Sequence, residues 1–325
     1  MRRILKYSVI GFLVLLLVLL VVIGTSLFRT KAPVTVGTIE YGIRYKNNLE
    51  LDLYFPTRKV FEASPVLFYI HGGAWVGGTK AAINFNRIHG AINTLRERGY
   101  TIIAPNYSVA GNNKTVFPEC ILDVYEAIEW TKKNAAVRGL DTTNLGLLGE
   151  SAGAHIAMMI AFPDTILQPA KYRKTEFNYV IDVYGPNDLT DLYHGRAAER
   201  IDASIGKVLG IIGSDFSIKK YVIGFDPLKD SVRVGELLSR FSPINFVGQK
   251  KIPVLILHGN KDQIVPVQQS VILKRKLDAL AISNEMHLLD NVDHNFKNAS
   301  RLQQDSIQLW ISEFVLRRYR KKLLV

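Results

Sequence analysis

A serine hydroxyl attacks a carbonyl carbon only where a base takes its proton and fixed donors receive the charge that builds on the substrate oxygen. Gly149-Glu150-Ser151-Ala152-Gly153 gives one serine that setting, because it follows the apolar run 145–148 and opens the helix-like stretch 152–162. Glycines at 149 and 153 remove side chains that would collide in a tight turn from strand to helix, and Ser151 is thereby projected above the sheet. The start of the following helix adds N–H groups and a positive dipole end beside the reacting carbon. A second segment, His71-Gly72-Gly73-Ala74-Trp75, follows the apolar run 66–70. Its glycines let backbone amides come close to a substrate oxygen, so the N–H groups of Gly72, Gly73 and Ala152 are the expected oxyanion hole.

The base and its acidic partner belong later in the chain. Asp262 follows the apolar run 254–257, and His294 follows the run 286–289. Adjacent parallel strands lie about 5 Å apart, so loops leaving neighbouring strands can bring a carboxylate to an imidazole. The expected set is Ser151 as nucleophile, Asp262 as acid and His294 as base; Asp290 and Asp293 lie too near His294 in sequence to orient it as easily. An imidazole base implies a rate that falls below about pH 6. His71 and His258 are expected to brace their own loops, and His155, one turn after Ser151, to satisfy backbone groups. Trp75, Glu150 and Asp188 are candidates for the substrate pocket, although the default for a carboxylate in such an elbow is exposure. No His-Glu-x-x-His pattern and no paired Cys/His spacing occurs, so no metal and no cofactor is expected.

These segments need a scaffold that gathers strand ends. Two runs, 36–45 and 49–55, read as a hairpin around Asn47-Asn48, the second with alternating apolar and polar residues. Six short apolar runs, at 66–70, 101–104, 145–148, 179–184, 254–257 and 286–289, read as strands buried on both faces. Helix-like stretches lie between them, at 84–98, 118–134, 152–162, 267–280 and 300–319. The alternation implies an α/β domain over 31–325, a mostly parallel central sheet with helices on both faces and a site beyond the carboxyl ends of the strands. Residues 186–251 are far longer than an ordinary connection and read as a partly helical, cap-like insertion.

His-Gly-Gly-Ala-Trp at 71–75, Gly-Glu-Ser-Ala-Gly-Ala-His at 149–155, Tyr-Gly-Pro-Asn-Asp-Leu at 184–189 and His-Gly-x-x-Asp-x-x-Val-Pro at 258–266 occur in a specific order and spacing. With them, residues 36–315 resemble the α/β-hydrolase carboxylesterases, in the branch that holds hormone-sensitive lipase-like and bacterial feruloyl esterase-like enzymes. Pro105 to Val109 resembles that group's Asp-Tyr-Arg-Leu block, with Asn106 and Ser108 standing where the group has Asp and Arg. Ala74 stands where lipases carry a third glycine, which leans toward the feruloyl esterase-like branch. The resemblance implies hydrolysis of a small-molecule carboxylic ester, with short acyl groups preferred, through an acyl-enzyme. An amide, formamide or peptide hydrolase on the same triad, and a catalytically inactive scaffold module, remain as alternatives.

Composition narrows the remaining classes. With 48% apolar residues, 22% charged residues and one cysteine, the chain is neither disordered nor held by disulfides within itself. Its net charge of +12 comes without a finger, RNP-like or other nucleic-acid motif, so no nucleic-acid partner is expected. The sequence specifies no oligomeric state. Residues 9–23 contain no polar side chain, and 8–28 are long enough to cross a bilayer as a helix. Arg2, Arg3 and Lys6 precede this stretch, so residues 1–30 read as a single-pass anchor with an extracytoplasmic catalytic domain, or as a cleaved signal peptide.

Overall fold

The first two strands, β1 (Ile39–Lys46) and β2 (Leu49–Tyr54), pair antiparallel around Asn47, whose φ of 39° suits the tight reversal. The computed structural model describes residues 37–111, 115–163, 175–195, 199, 222–224 and 229–319. Six further strands follow: β3 (Ser64–Ile70), β4 (Thr101–Pro105), β5 (Leu140–Glu150), β6 (Tyr179–Val183), β7 (Val254–Gly259) and β8 (Asn284–Leu289). They form one sheet of order β1-β2-β4-β3-β5-β6-β7-β8. From β4 to β8 every pairing is parallel, while β1 and β2 join antiparallel at one edge. Residues of β3, β4, β6 and β7 are buried throughout, as continuous apolar runs between two helical layers should be.

The main helices are α1 (His89–Glu97), α2 (Glu119–Arg138), α3 (Ala152–Ala161), α4 (Leu189–His194), α5 (Ser231–Arg240), α6 (Gln268–Ala279) and α7 (Arg301–Leu316). Buried residues of α2, α3 and α6 share one apolar core with one face of the sheet, and those of α1 and α7 share a second core with the other. Local sequence sets several of the ends. Gly139 closes α2 in the left-handed region, φ 62°, and Ser300 opens α7 with a capping box to Gln303. Helix α1 starts later than residue 84: Lys80–Asn84 form a short 3-10 turn, and the Asn86 side chain accepts the Ile88 N–H.

Parallel strands point their carboxyl ends to one rim, and the register makes that rim even. Ile70 pairs with Gly149, Glu150 with Val183, and Gly259 with Leu289. The segments that follow β3, β5, β6, β7 and β8 therefore leave the sheet side by side. The expected insertion at 186–251 is described in part, including α4, α5 and a 3-10 turn at Pro243–Asn245. The expected membrane segment in residues 1–30 lies outside the described residues. Among the described residues no helix is long and apolar enough to cross a membrane.

Candidate active site

Ser151 sits where β5 turns into α3, with φ 54° and ψ −120°. A non-glycine residue in such a conformation costs of order 1–3 kcal/mol and persists only where its surroundings hold it. Here the Ser151 N–H donates to the Val183 carbonyl at 2.9 Å, and the Ser151 carbonyl accepts from Ala154 and His155. The flanking glycines are steric necessities. A Cβ on Gly149 would lie 2.2 Å from the Gly153 carbonyl oxygen, and one on Gly153 would lie 2.1 Å from the Ile70 oxygen. Helix α3 can thus start flush against the ends of β3 and β5, and all ten of its residues are buried.

The loop after β3 is pressed against this elbow. A Cβ on Gly72 would meet the Glu150 carbonyl oxygen at 3.0 Å and the Ser151 Cβ at 3.3 Å. Gly73, at φ 129°, faces the Gly77 carbonyl, and its own carbonyl accepts from Val76 and Gly77. Ala74 and Trp75 complete the reversal in the left-handed region, at φ 52° and 60°. Among the described residues no backbone carbonyl takes the Gly72 or Gly73 amide. Below the loop, His71 donates from Nδ1 to the Gly72 carbonyl at 2.8 Å and stacks on Tyr107 at 4.2 Å. Burial pushes its imidazole down to about 4, against the opposing effect of that backbone hydrogen bond, so it stays neutral near pH 7.

Ser151, His294 and Asp262 meet at the rim. His294 Nε2 lies 3.1 Å from Ser151 Oγ, and His294 Nδ1 lies 2.7 Å from Asp262 Oδ2. The other Asp262 oxygen accepts the N–H groups of Ile264 and Val265, each at 2.8 Å. Burial alone would raise the Asp262 carboxyl, but hydrogen bonds and charge from His258 and His294 hold it well below the usual carboxylate range. With Asp262 ionised, Nδ1 of His294 is the donor and Nε2 is free to accept from the serine hydroxyl.

His258 does more than brace its loop. Its Nδ1 accepts from Ser270 at 2.7 Å, while Nε2 donates to the Val265 carbonyl at 2.9 Å and lies 3.3 Å from Asp262 Oδ2. His155 is buried, accepts the Trp75 indole N–H at Nδ1 and donates from Nε2 to the Phe241 carbonyl. Burial pushes it down to about 4 as well.

A cavity of about 640 Å³ opens over Ser151 and His294, with Gly72, Gly73, Tyr69, Tyr184 and Glu150 in its wall. Three pocket expectations need correction or refinement. Trp75 is not in the wall: it is buried between His155 and Phe117, with ring centroids 5.1 and 5.7 Å away. Asp188 is not in the wall either; its carboxylate caps α4 by accepting from Thr190 and Asp191. Glu150 does line the cavity, but it is buried, not exposed. Tyr69 donates to it at 2.6 Å, Asn86 at 2.8 Å, and Tyr184 donates to its other oxygen.

Both positions that depart from the group's pattern, 106 and 108, have hydrogen-bond partners. Asn106 accepts the Lys80 N–H and Ser108 donates its N–H to Asp123, while Lys46 of β1 supplies the cation, 2.5 Å from Asp123.

A serine elbow, a glycine loop pressed against it and an aspartate–histidine pair thus converge on one end of a β1-β2-β4-β3-β5-β6-β7-β8 sheet. The BD-FAE family model matches residues 51–277. The chain belongs to the BD-FAE family. This BD-FAE chain is 28% identical over 238 residues to the probable carboxylic ester hydrolase LipM of Mycobacterium tuberculosis, covering 72% of the chain and 49% of that relative. It is 29% identical over 282 residues to the esterase LipQ of the same organism, covering 85% of the chain and 61% of LipQ. The chain therefore spans about half to three fifths of the length of these relatives. In three dimensions it is similar to a truncated carbohydrate esterase from gut microbiota, with a TM-score of 0.66 at 21% identity over 88% of this chain and 100% of that one. The fold is the α/β-hydrolase fold.

Proposed function

We propose that this protein hydrolyses carboxylic esters of small molecules, through an acyl-enzyme on Ser151. The carrying observation is the pair of hydrogen bonds that runs from Asp262 through His294 to the Ser151 hydroxyl. His294 Nε2 takes the hydroxyl proton as Oγ attacks the ester carbonyl, and Asp262 holds the imidazole in the required tautomer and stabilises its cation. The amides of Gly72, Gly73 and Ala152 receive the oxyanion, where loss of one donor costs on the order of 3 kcal/mol of transition-state stabilisation. The imidazolium then protonates the leaving alcohol, and water, activated by the same imidazole, releases the acid. LipM and LipQ, named as ester hydrolases, support the reaction class.

Short acyl groups are the proposed substrates. The test is a series of p-nitrophenyl esters from acetate to laurate, assayed on the full chain. The reading expects kcat/KM to peak between acetate and butyrate; a peak at laurate removes the chain-length assignment, and no turnover of any ester removes the reaction class.

The proposed setting is a membrane, entered through residues 1–30, with the catalytic domain on the extracytoplasmic side. It rests on the apolar run 9–23 and the basic residues ahead of it. Retention in the pellet after carbonate extraction supports the anchor, and release of a shortened chain supports a cleaved signal peptide.

A further inference from the structure

Glu150 is the residue between Gly149 and Ser151, and the ester-hydrolysis reading above gives it no task. Its surroundings are nonetheless built. Tyr69 reaches it from β3, Tyr184 from the end of β6 and Asn86 from the segment ahead of α1. Burial raises the Glu150 carboxyl above its ordinary value, and the three hydrogen bonds oppose that rise, because donors directed at a carboxyl favour its ionised form. Both phenols are buried, and burial together with Glu150 pushes them well above their ordinary range, so they remain donors.

Tyr184 connects this assembly to the reaction centre. It is a non-glycine residue held at φ 44°, and its ring packs 4.7 Å from the His294 ring and 4.9 Å from Phe296. The hydroxyl that fixes that ring is the one bound to Glu150. The reaction makes His294 an imidazolium, and three groups beyond Ser151 bear on that cation: Asp262 after β7, with His258 behind it; Tyr184 after β6; and Glu150 at the end of β5, bonded to the Tyr184 hydroxyl. Asp293 binds the His294 backbone N–H, and Arg87 lines the same cavity.

We infer that Glu150 is a positioning residue for His294: its carboxylate holds the Tyr184 ring against the imidazole and supplies a second negative charge, besides Asp262, that favours the imidazolium. The inference rests on the assignment of His294 as base. A negative charge near a base favours its protonated form, so removing that charge makes the imidazole harder to protonate. The acid limb of the pH–rate profile then moves to lower pH, while the plateau kcat drops because the transition-state cation loses support.

The test measures kcat and KM for p-nitrophenyl acetate from pH 5 to 9 in wild type, Glu150→Gln and Tyr184→Phe, with covalent labelling by a fluorophosphonate recorded alongside. Glu150→Gln keeps the size and an acceptor oxygen but removes the charge. It is expected to lower kcat about tenfold, to leave KM within about twofold and to move the acid limb down by about half a pH unit. Tyr184→Phe leaves the carboxylate in place and removes only the hydroxyl; it is expected to lower kcat several-fold with KM unchanged. A Glu150→Gln enzyme whose acid limb overlies that of wild type overturns the inference, because a purely structural role would lower kcat without moving the limb. Should Glu150→Gln fail to fold, a Tyr184→Phe enzyme with wild-type kcat overturns it instead. A wild-type protein that neither labels nor turns over ester would end the parent esterase reading, which is a different failure from an unmoved limb in an active enzyme.

Discussion

The Asp293 carboxylate accepts the backbone N–H of Gln263 at 2.8 Å, which ties the loop carrying Asp262 to the loop carrying His294. The same oxygen accepts the His294 N–H, also at 2.8 Å. Further bonds stitch the two loops together, from Asn260 to the Leu289 carbonyl and from Lys261 to the Val292 carbonyl. Asp293 thus bridges the two loops and fixes the distance between Asp262 and His294, the proposed acid and base.

Replacing Asp293 by Ala removes one acceptor from two backbone donors. Displacement of a reacting group by a fraction of an ångström is costly to rate, so kcat is expected to fall about tenfold with KM little changed. Steady-state kinetics on an ester substrate check this, and an unchanged kcat would show that the remaining backbone bonds suffice.

The acid itself is separated from its neighbours by amide substitution. Asp262→Asn leaves His294 Nδ1 facing a group that favours the wrong tautomer, so kcat should fall by about 10³ to 10⁴. Asp290 binds the Asn260 side chain on the surface, and Asp290→Asn should stay within about twofold of wild type. The reverse ranking would place the acid at the wrong residue.

The elbow glycines should tolerate nothing larger. An added methyl at Gly149 or Gly153 meets backbone oxygen at 2.2 or 2.1 Å, and backbone cannot swing aside as a side-chain tip does. Either Gly→Ala change should cost about 3 kcal/mol or more, read as a lower urea midpoint. A midpoint equal to that of wild type would mean that the elbow can widen.

Acid should weaken the fold before it protonates the carboxylates. His71 and His155 are held down to about 4 by burial, against hydrogen bonds to the Gly72 and Phe241 carbonyls that act the other way. In the unfolded chain each titrates near 6.5, so between about pH 6.5 and pH 4 the unfolded state binds more protons and stability rises with pH. The loss on going from pH 7 to pH 5 is about 2 kcal/mol for each imidazole. Asp262 acts at lower pH, where its depressed carboxyl gives stability that is present above the unfolded value and lost as the group protonates. Urea denaturation at pH 7 and pH 5 measures the slope, and His155→Gln should flatten it by about half of the combined effect. Equal wild-type midpoints at the two pH values would contradict the neutral, buried assignment.

The strands and the order of the candidate triad were legible because each rests on a local pattern. An apolar run followed by Gly-x-Ser-x-Gly marks a strand, a turn and a helix at once, and the runs at 254–257 and 286–289 place Asp262 and His294 past the ends of strands. What surrounds Glu150 was not legible, since Tyr69 in β3 and Tyr184 just past β6 lie 81 and 34 positions away and only the sheet register brings them to it. Trp75 read as a pocket residue for the same reason: its partner His155 lies in another element, 80 positions on. Asp188 did carry a local signal, because an aspartate just ahead of a helix is a cap. His258 also had one, four residues ahead of Asp262, though that spacing shows only that the two can meet.

The most direct measurement of the central claim is covalent capture of the nucleophile. The full chain is treated with a fluorophosphonate at pH 7.5, digested, and the adduct located by mass spectrometry. The account predicts one adduct on the peptide carrying Ser151, absent in Ser151→Ala and formed far more slowly in His294→Ala. A folded wild-type protein that takes no label, or labels on another serine, would contradict it.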